Sequence, residues 1–170
     1  MRQAWKFAYW PVIWALSLGP PLAFGWGPRI HGLSGMILEA LGVVFIVYSL
    51  LLTSIAGRTL RLYGHTGRSF WPDKLVDVGI YSCMRHPQHL GLSLFPVGLS
   101  LITAMPVVIL ASGWSVAGAL AFVLILEEPD CLEKYGEAYV NYMRRVPPFS
   151  LDVSCIVKGI KFIRNLRNTR

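Results

Sequence analysis

The sequence predicts an all-α membrane protein with about four transmembrane helices, a cytoplasmic segment and a C-terminal amphipathic helix. Of its 170 residues, 54% are hydrophobic and only 15% are charged. The mean hydropathy of +0.51 is well above that of ordinary soluble domains. A bilayer core of roughly 30 Å requires about 20 apolar residues in a helix. Apolar stretches of about this length recur along the chain, which makes a membrane protein the default expectation.

Four spans are predicted from these stretches. The first two cover residues 7–24 and 33–55, and the first contains Pro11, Pro20 and Pro21, which neighbouring helices would have to accommodate. The run 90–126 has no charged residue and no histidine. As one helix it would be about 55 Å long, too long for a single crossing. Proline cannot continue a helical hydrogen-bond ladder, so a turn is expected at Ala104-Met105-Pro106. The third and fourth spans are therefore placed at 87–104 and 106–126.

The basic residues set the predicted orientation, because Lys and Arg favour loops that stay in the cytoplasm. Of the sixteen Lys and Arg residues, two precede the first span, five lie between the second and third, and eight follow the fourth. Arg29 is the exception, and four spans place the others on one face. Both termini are thus predicted to be cytoplasmic. In so hydrophobic a chain, the net charge of +7 indicates orientation and not nucleic-acid binding.

The remaining composition favours a single retained domain. The N-terminal apolar stretch contains prolines and lacks a convincing small-x-small cleavage site, which favours an anchor over a cleaved signal. Cys83, Cys131 and Cys155 are odd in number and form no CxxC pair, so a disulfide framework is not expected. A weak pattern for acylation surrounds Cys155. No repeat or linker divides the chain, and residues 1–170 are predicted to form one domain.

The segment after the fourth span is predicted to form a helix over about 129–143. Pro129 favours a helix start, and Val146-Pro147-Pro148 ends the pattern. The spacing of three and four residues predicts one aromatic face, which consists of Leu132, Tyr135, Tyr139 and Tyr142. The tail, about 154–170, alternates isoleucines with basic residues, as in an amphipathic helix on an anionic cytoplasmic surface.

Two polar clusters are expected to meet on the cytoplasmic side. Arg85, His86 and His89 stand at the entrance of the third span, and Glu127 and Glu128 stand at the exit of the fourth. A short turn joins these spans, so they should be antiparallel neighbours with adjacent cytoplasmic ends. Ionisable residues at membrane depth are expensive, so the combined cluster is a functional-site hypothesis.

These motifs resemble a known superfamily. The stretch "LVDVGIYSCMRHPQHLG", followed by "EE...L..YG..Y..Y...VP", is similar to the isoprenylcysteine carboxyl methyltransferases and phospholipid N-methyltransferases, which are integral membrane enzymes. The resemblance covers residues 72–148 and implies S-adenosylmethionine as the cofactor, bound facing the cytoplasm, with a lipophilic substrate. It implies the cofactor-site positions Gly79, Tyr81, Arg85, His86, Pro87, Gly91, Glu127 and Glu128, with Tyr139, Tyr142 and Arg145 in the closing segment.

The residue types suit this chemistry. S-adenosylmethionine requires carboxylates for its ammonium or diol, a cation for its carboxylate and aromatic surface for its adenine. Arg85, Glu128 and Arg145 are the predicted catalytic residues. A carboxylate acceptor would need only a cation such as Arg85 or Arg145 to orient it, whereas an amine or thiol would need a base such as His86, His89 or a glutamate.

One position departs from the superfamily pattern, since His89 stands where a tyrosine is usual. His89 is included among the predicted cofactor contacts, and its shorter reach would change the cofactor pose or the substrate class. The chain also lacks the extra spans of the larger eukaryotic carboxyl methyltransferases, which argues against an isoprenylated protein substrate.

Each assignment has a structural alternative. Arg85 could anchor a helix at the interface, Glu127 and Glu128 could cap a span end, and the tyrosines could form an interfacial belt. Glu39 could line a cavity or bond a neighbouring helix. No metal site is predicted, because Pro87 separates the two histidines and no matching cluster accompanies them.

Three functions remain open from the sequence. The first is a membrane methyltransferase that uses S-adenosylmethionine on a prenylated cysteine carboxylate, a lipid amine or a similar lipid. The second is an NADPH-dependent reductase of the sterol reductase type, and the third is a non-catalytic four-helix membrane protein. The expected location is the cytoplasmic membrane, or the endoplasmic reticulum in a eukaryote, with membrane lipids and a lipophilic substrate as partners.

Overall fold

The computed structural model describes residues 5–25, 27–64 and 72–168. Within these ranges the ordered elements are helical and no strand occurs, which confirms the all-α prediction. The basic residues Arg2, Arg68 and Arg170 lie outside the described residues, as does the end of the predicted tail, 169–170. The helices are α1 (Trp5–Ala23), α2 (Gly32–Thr59), α3 (Pro87–Thr103), α4 (Pro106–Phe122), α5 (Glu128–Tyr135), α6 (Glu137–Arg145) and α7 (Ser154–Asn168).

Two helical stretches have the properties of membrane spans. Among the described residues, Gly32–Gly64 and Pro106–Tyr135 are long and apolar enough to cross a bilayer. They contain the second and fourth predicted spans. Helices α1 and α3 occupy the other two predicted positions, and their crossing of a membrane stays a prediction.

The chain divides into two compact units. The first combines the residues up to Leu50 with Gly91–Ala121. The second combines Leu51–Leu90 with the residues from Phe122 onward. The polar motifs fall almost entirely in the second unit, and Gly91 is the one predicted site residue in the first.

Close helix packing organises the first unit. A Cβ atom added to Gly98 of α3 would lie 2.9 Å from the carbonyl oxygen of Gly42 in α2. The reciprocal Cβ on Gly42 would lie 2.7 Å from the Gly98 carbonyl oxygen. Near the same helices, the Ser49 hydroxyl donates to the Gly91 carbonyl at 2.7 Å. The two helices thus approach closely because both carry glycine at the crossing.

The predicted turn between the third and fourth spans is present. Helix α3 ends at Thr103, Ala104 adopts a positive φ of 51°, and α4 begins at Pro106. The Met105 N–H donates to the Thr103 hydroxyl oxygen at 3.2 Å, which satisfies one exposed donor in the turn. The Ala104 carbonyl accepts the Ile30 N–H at 2.8 Å. The turn is therefore fixed by hydrogen bonds as well as by the proline.

Glu39 of α2 forms an ion pair within this unit. Its Oε1 accepts a hydrogen bond from Nη2 of Arg29 at 2.5 Å, and both side chains are about half exposed. This pair gives the glutamate a partner just before the start of α2, and the two roles predicted for Glu39 stay predictions.

In the second unit, the helical backbone continues from α4 through the two glutamates. A π-helical turn, Val123–Glu127, continues α4 directly into α5, and Glu127 and Glu128 both keep right-handed helical backbone angles. The expected single helix over 129–143 is instead two helices. Gly136, at φ 55° and ψ −132°, separates α5 from α6, because these angles suit glycine and cannot continue an α-helix.

Helix α7 packs within the second unit. Its buried residues are Cys155, Ile156 and Gly159. A Cβ on Gly159 would lie 2.5 Å from Cγ2 of Ile55, near the end of α2, and 3.2 Å from Cβ of Ile80. The helix predicted for the tail is thus present as far as Asn168, while its position on a membrane surface stays a prediction.

Candidate functional site

The arginine-histidine-proline motif is reached through a tight turn. Residues Gly79–Ser82 form a 3₁₀ turn, and Gly79 has a positive φ of 61°, a region that favours glycine. The Ile80 and Met84 side chains are fully buried and fix the turn in the core of the unit. Pro87 then occupies the first position of α3, where its missing N–H costs nothing.

The backbone of the motif is held by the proline pair that follows α6. The Arg85 N–H donates to the Pro147 carbonyl at 2.9 Å, and the His86 N–H donates to the Pro148 carbonyl at 3.0 Å. Consecutive donors thus meet consecutive acceptors. The Val146-Pro147-Pro148 segment ends α6 as predicted and also positions the motif.

The Arg85 side chain joins three segments of the unit. Its Nε donates to Glu128 Oε1 at 3.0 Å, and its Nη2 forms a second hydrogen bond to the same oxygen. Its Nη1 donates to the carbonyls of Met143 at 3.1 Å and Val146 at 2.6 Å, at the C-terminal end of α6. A guanidinium suits this place because the last carbonyls of a helix carry partial negative charge. With 7% of its side chain exposed, Arg85 is engaged in holding α5 and α6.

His86 lies between Glu128 and Tyr139. Its Nε2 is 3.4 Å from Glu128 Oε1 and 3.3 Å from the Tyr139 hydroxyl oxygen. All three residues are buried. The tyrosine donates when Nε2 is unprotonated, whereas the protonated nitrogen donates to the carboxylate. The geometry therefore permits a proton to be held at Nε2 against a buried carboxylate.

The Glu128 carboxylate is kept ionised by these neighbours. The hydrogen bond from His86, followed by that from Arg85 and the positive charge of Arg85, holds the pKa of Glu128 below its usual range despite burial. The hydrogen bonds and ion pairs that Glu128 forms within the described part of the chain all involve Oε1. Its Oε2 forms none with these residues. Glu127, the preceding residue, is also buried. Two buried acidic residues thus follow one another where the π-helical turn joins α5.

Two buried tyrosines of α6 pack in the cluster. The Tyr142 hydroxyl donates to the Tyr81 carbonyl at 2.5 Å, which ties α6 to the 3₁₀ turn. The rings of Tyr139 and Tyr142 meet edge to face, with their centroids 5.9 Å apart. Burial raises the pKa of both phenols above the ordinary tyrosine range. They therefore remain neutral hydrogen-bonding groups across the physiological pH range.

The predicted aromatic face is only partly realised. Tyr139 and Tyr142 are core residues, and Tyr135 packs beside them. Leu132 is 37% exposed, because the break at Gly136 changes the alignment of α5 and α6. The two tyrosines of α6 are the members that reach the cluster.

His89 lies in the first turn of α3, beside the cluster. Its ring is 5.7 Å from that of His86 and 5.2 Å from that of Phe122, measured between centroids. Gly91, in the first unit, accepts the hydrogen bond from Ser49 and belongs to the helix packing described above.

Arg145 lies apart from the contacts of Arg85 and Glu128. Its Nη2 is 3.9 Å from Asp77 Oδ2, and two thirds of its side chain is exposed. Its Nε donates to the Asn141 carbonyl at 3.2 Å within α6. Its predicted catalytic role stays a prediction.

Several contributing residues were not predicted. Phe149 contributes a ring 6.3 Å from that of His86, and the carbonyls of Met143 and Val146 bind Arg85. Backbone acceptors leave no mark in side-chain patterns, so no signal in the sequence indicated them. No group of three or more His, Cys, Asp and Glu side chains in the described ranges is placed to hold a metal ion, and the absence of a metal stays a prediction.

Comparisons with known proteins point to methyltransferases. The family model for phospholipid methyltransferases matches residues 31–138. The chain is 34% identical over 74 residues to protein-S-isoprenylcysteine O-methyltransferase B of Arabidopsis thaliana, covering 44% of this chain and 38% of that protein. It is 26% identical over 132 residues to the protein-S-isoprenylcysteine O-methyltransferase of Xenopus laevis, covering 73% and 43%. The corresponding protein of Rattus norvegicus gives 26% over 130 residues, with the same coverage.

These matches cover less than half the length of the named relatives. No solved structure matches the chain significantly. The family model, however, spans well over half of the chain, and the matched residues include the arginine-histidine-proline motif together with Glu127 and Glu128. The chain therefore belongs to the phospholipid methyltransferase family, in the superfamily that also contains the isoprenylcysteine methyltransferases.

Proposed function

We propose that this protein transfers a methyl group from S-adenosylmethionine to a lipophilic acceptor at the cytoplasmic face of a membrane. The observation that carries the proposal is the cluster in which Arg85, His86 and Tyr139 converge on Glu128. Two motifs more than forty residues apart supply its members. Family membership and the names of the relatives favour methyl transfer over the reductase and the non-catalytic alternatives.

The donor set of the cluster fits the proposed cofactor. Oε2 of Glu128 carries negative charge and forms no hydrogen bond or ion pair with the described residues, so it can accept a hydrogen bond from an ammonium or a ribose diol. Glu127 adds a second carboxylate, and Tyr139, Tyr142 and His89 offer aromatic surface. Gly79, Tyr81 and Pro87 hold the backbone that presents these groups.

Bound at this place, S-adenosylmethionine would supply an electrophilic methyl group on its sulfonium. Glu128 would bind the cofactor while Arg85 holds the carboxylate in position through two hydrogen bonds. The buried tyrosines exclude water from the cluster. Positioning and exclusion of water are the principal contributions that a protein makes to a displacement at carbon.

The nature of the acceptor decides what else the chain must do. An amine or thiol must lose a proton, and His86 is then the candidate base, since Nε2 faces both Glu128 and Tyr139. A carboxylate acceptor requires an orienting cation, and Arg145 is the more exposed arginine for that task. The methylated carboxylate of a prenylcysteine is suggested by the relatives' names, and a lipid amine by the family description.

The proposed topology has four spans with both termini in the cytoplasm. Helices α2 and α4 support it directly by length and composition. Helices α1 and α3 occupy the other two positions, and the distribution of Lys and Arg supports the orientation. This places Arg85 and Glu128 on the cytoplasmic side of the cytoplasmic membrane or of the endoplasmic reticulum.

Binding of S-adenosylhomocysteine to the detergent-solubilised protein tests the cofactor. Isothermal titration calorimetry should give saturable binding for the wild type, whereas Glu128→Gln and His86→Ala should bind too weakly to measure. Glu133→Gln is the matched control, because it removes an exposed carboxylate from the same helix α5. Circular dichroism must confirm that each variant remains folded.

The outcomes separate the alternatives. Normal binding by both site variants would mean that the cofactor binds elsewhere. Binding of NADPH in place of S-adenosylhomocysteine would favour the reductase, and binding of neither would favour a non-catalytic protein. Transfer of a labelled methyl group into membrane lipid and protein extracts then identifies the acceptor.

A further inference from the structure

Helix α7 has one face that is exposed and strongly basic. The helix contains no acidic residue, and its four basic side chains are all exposed: Lys158, Lys161, Arg164 and Arg167. Apolar side chains share this face, since Val157 and Ile160 are each 48% exposed. Just before the helix, Leu151 and Val153 are exposed by 69% and 62%. Basic and apolar groups exposed together are typical of helices that lie in the interface of an anionic bilayer.

The position of α7 in its unit agrees with a bilayer interface. Gly159 lies against Ile55 near the end of α2, which is one of the helices long and apolar enough to span a membrane. The exposed basic residues Arg58 and Arg61 follow directly in the chain. The end of an apolar span marked by arginines is where the hydrocarbon region gives way to lipid headgroups.

The opposite face of α7 holds the 3₁₀ turn that leads into the arginine-histidine-proline motif. A Cβ on Gly79 would lie 2.9 Å from Cδ1 of Phe162, so the phenyl ring covers this glycine closely. Tyr63 contacts the same ring edge to face, with centroids 5.7 Å apart. At the start of the helix, burial and then a hydrogen bond with the Cys83 thiol raise the pKa of Cys155 to about 12. Helix α7 thus contacts both ends of the turn.

We propose that α7 binds an anionic lipid surface through its basic face and thereby clamps the Gly79–Ser82 turn through Phe162. The turn carries Tyr81, whose carbonyl accepts the Tyr142 hydroxyl, and it precedes Arg85. Contact with anionic lipid therefore stabilises the backbone on which the site is built. Any effect of this contact on catalysis rests on the proposed function. The lipid contact and the order of the backbone do not, because both are measured without cofactor or substrate.

Hydrogen–deuterium exchange of the full chain in lipid nanodiscs tests the lipid contact. Adding phosphatidylglycerol to phosphatidylcholine discs should slow amide exchange in Ser154–Asn168 by about fivefold or more, since one basic residue at an anionic surface contributes about that factor. Lys161→Gln should reduce this slowing by up to about fivefold, the contribution of one basic residue, and high salt should reduce it as well. Arg144→Gln is the matched control, because it removes one exposed cation from α6 and should keep the slowing.

The clamp is tested in the same discs by the amides of Tyr81, Cys83 and Met84, which donate within the turn. Their exchange should slow with phosphatidylglycerol in the wild type. Phe162→Ala should uncouple them from the lipid while α7 still responds, and Phe162→Leu should restore part of the coupling.

The lipid contact and the clamp can each be overturned. Equal amide exchange of α7 in both lipids would show that α7 does not bind the anionic surface. An equal loss of the slowing in Lys161→Gln and Arg144→Gln would show the same. A lipid response in α7 without one in the turn would remove the clamp. Neither result bears on binding of S-adenosylhomocysteine, so the proposed function stands or fails by its own test.

Discussion

Arg85 binds Glu128 through two nitrogens that converge on one carboxylate oxygen, Oε1. The other Arg85 donor group is taken by carbonyls at the end of α6. Arg85 is therefore a positioning residue for the Glu128 side chain, because it fixes one carboxylate oxygen. The other oxygen, Oε2, forms no hydrogen bond or ion pair with the described residues. The predicted catalytic role of Arg85 stays a prediction.

Arg85→Lys should lower stability although it keeps the charge. A lysine offers no planar fork and cannot bind Glu128 and the α6 carbonyls together. We expect the free energy of unfolding to fall by about 2 kcal/mol or more, because hydrogen bonds to charged groups contribute roughly 1.5–3 kcal/mol each. Thermal unfolding in detergent measures the change, with Arg144→Lys as the exposed control. Equal midpoints for the two variants would show that the fork contributes nothing.

The stability contributed by Glu128 should depend on pH. Its folded pKa is lowered by His86 and Arg85, so the contribution is fully present above the ordinary carboxyl pKa and is lost as the pH falls through the folded pKa. The difference in melting temperature between wild type and Glu128→Gln should therefore be constant near neutral pH and shrink in the acid range. A difference that is independent of pH would contradict an ionised Glu128.

Tyr142→Phe should weaken the link between α6 and the 3₁₀ turn. The substitution deletes the hydroxyl that donates to Tyr81 at 2.5 Å and leaves a buried carbonyl without this donor. We expect a cost of about 1–3 kcal/mol in the free energy of unfolding. Tyr135→Phe removes a less buried hydroxyl, bonded to the Pro72 carbonyl at 2.8 Å, and should cost less. An equal or larger effect for Tyr135 would reverse this ranking.

Gly98→Ala should disturb the first unit through helix packing alone. The new Cβ would lie 2.7 Å from Cγ1 of Ile46 and 2.9 Å from the Gly42 carbonyl oxygen, so α2 and α3 must separate. Gly113→Ala in α4 is the control, because its Cβ meets no atom within 4 Å. Alanine also favours helix over glycine by about 1 kcal/mol. Thermal unfolding should therefore give a lower midpoint for Gly98→Ala and an equal or higher one for Gly113→Ala.

The meeting of His86 with Glu128 could be predicted because sequence sets helix lengths and turns. Pro106 ends one helix and starts the next, so the two polar clusters at the far ends come together. The break at Gly136 could not be predicted in the same way. A single glycine is tolerated within a helical pattern, and only tertiary packing decides that it adopts a positive φ.

The packing of α7 was predicted only in part. Its alternation of isoleucine and lysine indicated one apolar face, but Ile156 is buried while Ile160 is 48% exposed. Gly159 and Phe162 instead make the close contacts. A glycine that admits a neighbouring helix looks in sequence like any helical glycine, because its significance depends on residues a hundred positions away, such as Ile55.

The proline pair accepts hydrogen bonds from the main chain of Arg85 and His86. The backbone of the candidate site is therefore held independently of the side chains that it presents. Proline has no N–H, so Pro147 and Pro148 can accept from the motif but cannot exchange roles with it, which specifies a single register. This register depends on main-chain atoms and does not depend on side chains. Replacing a side chain such as that of His89 would therefore leave this main-chain register unchanged.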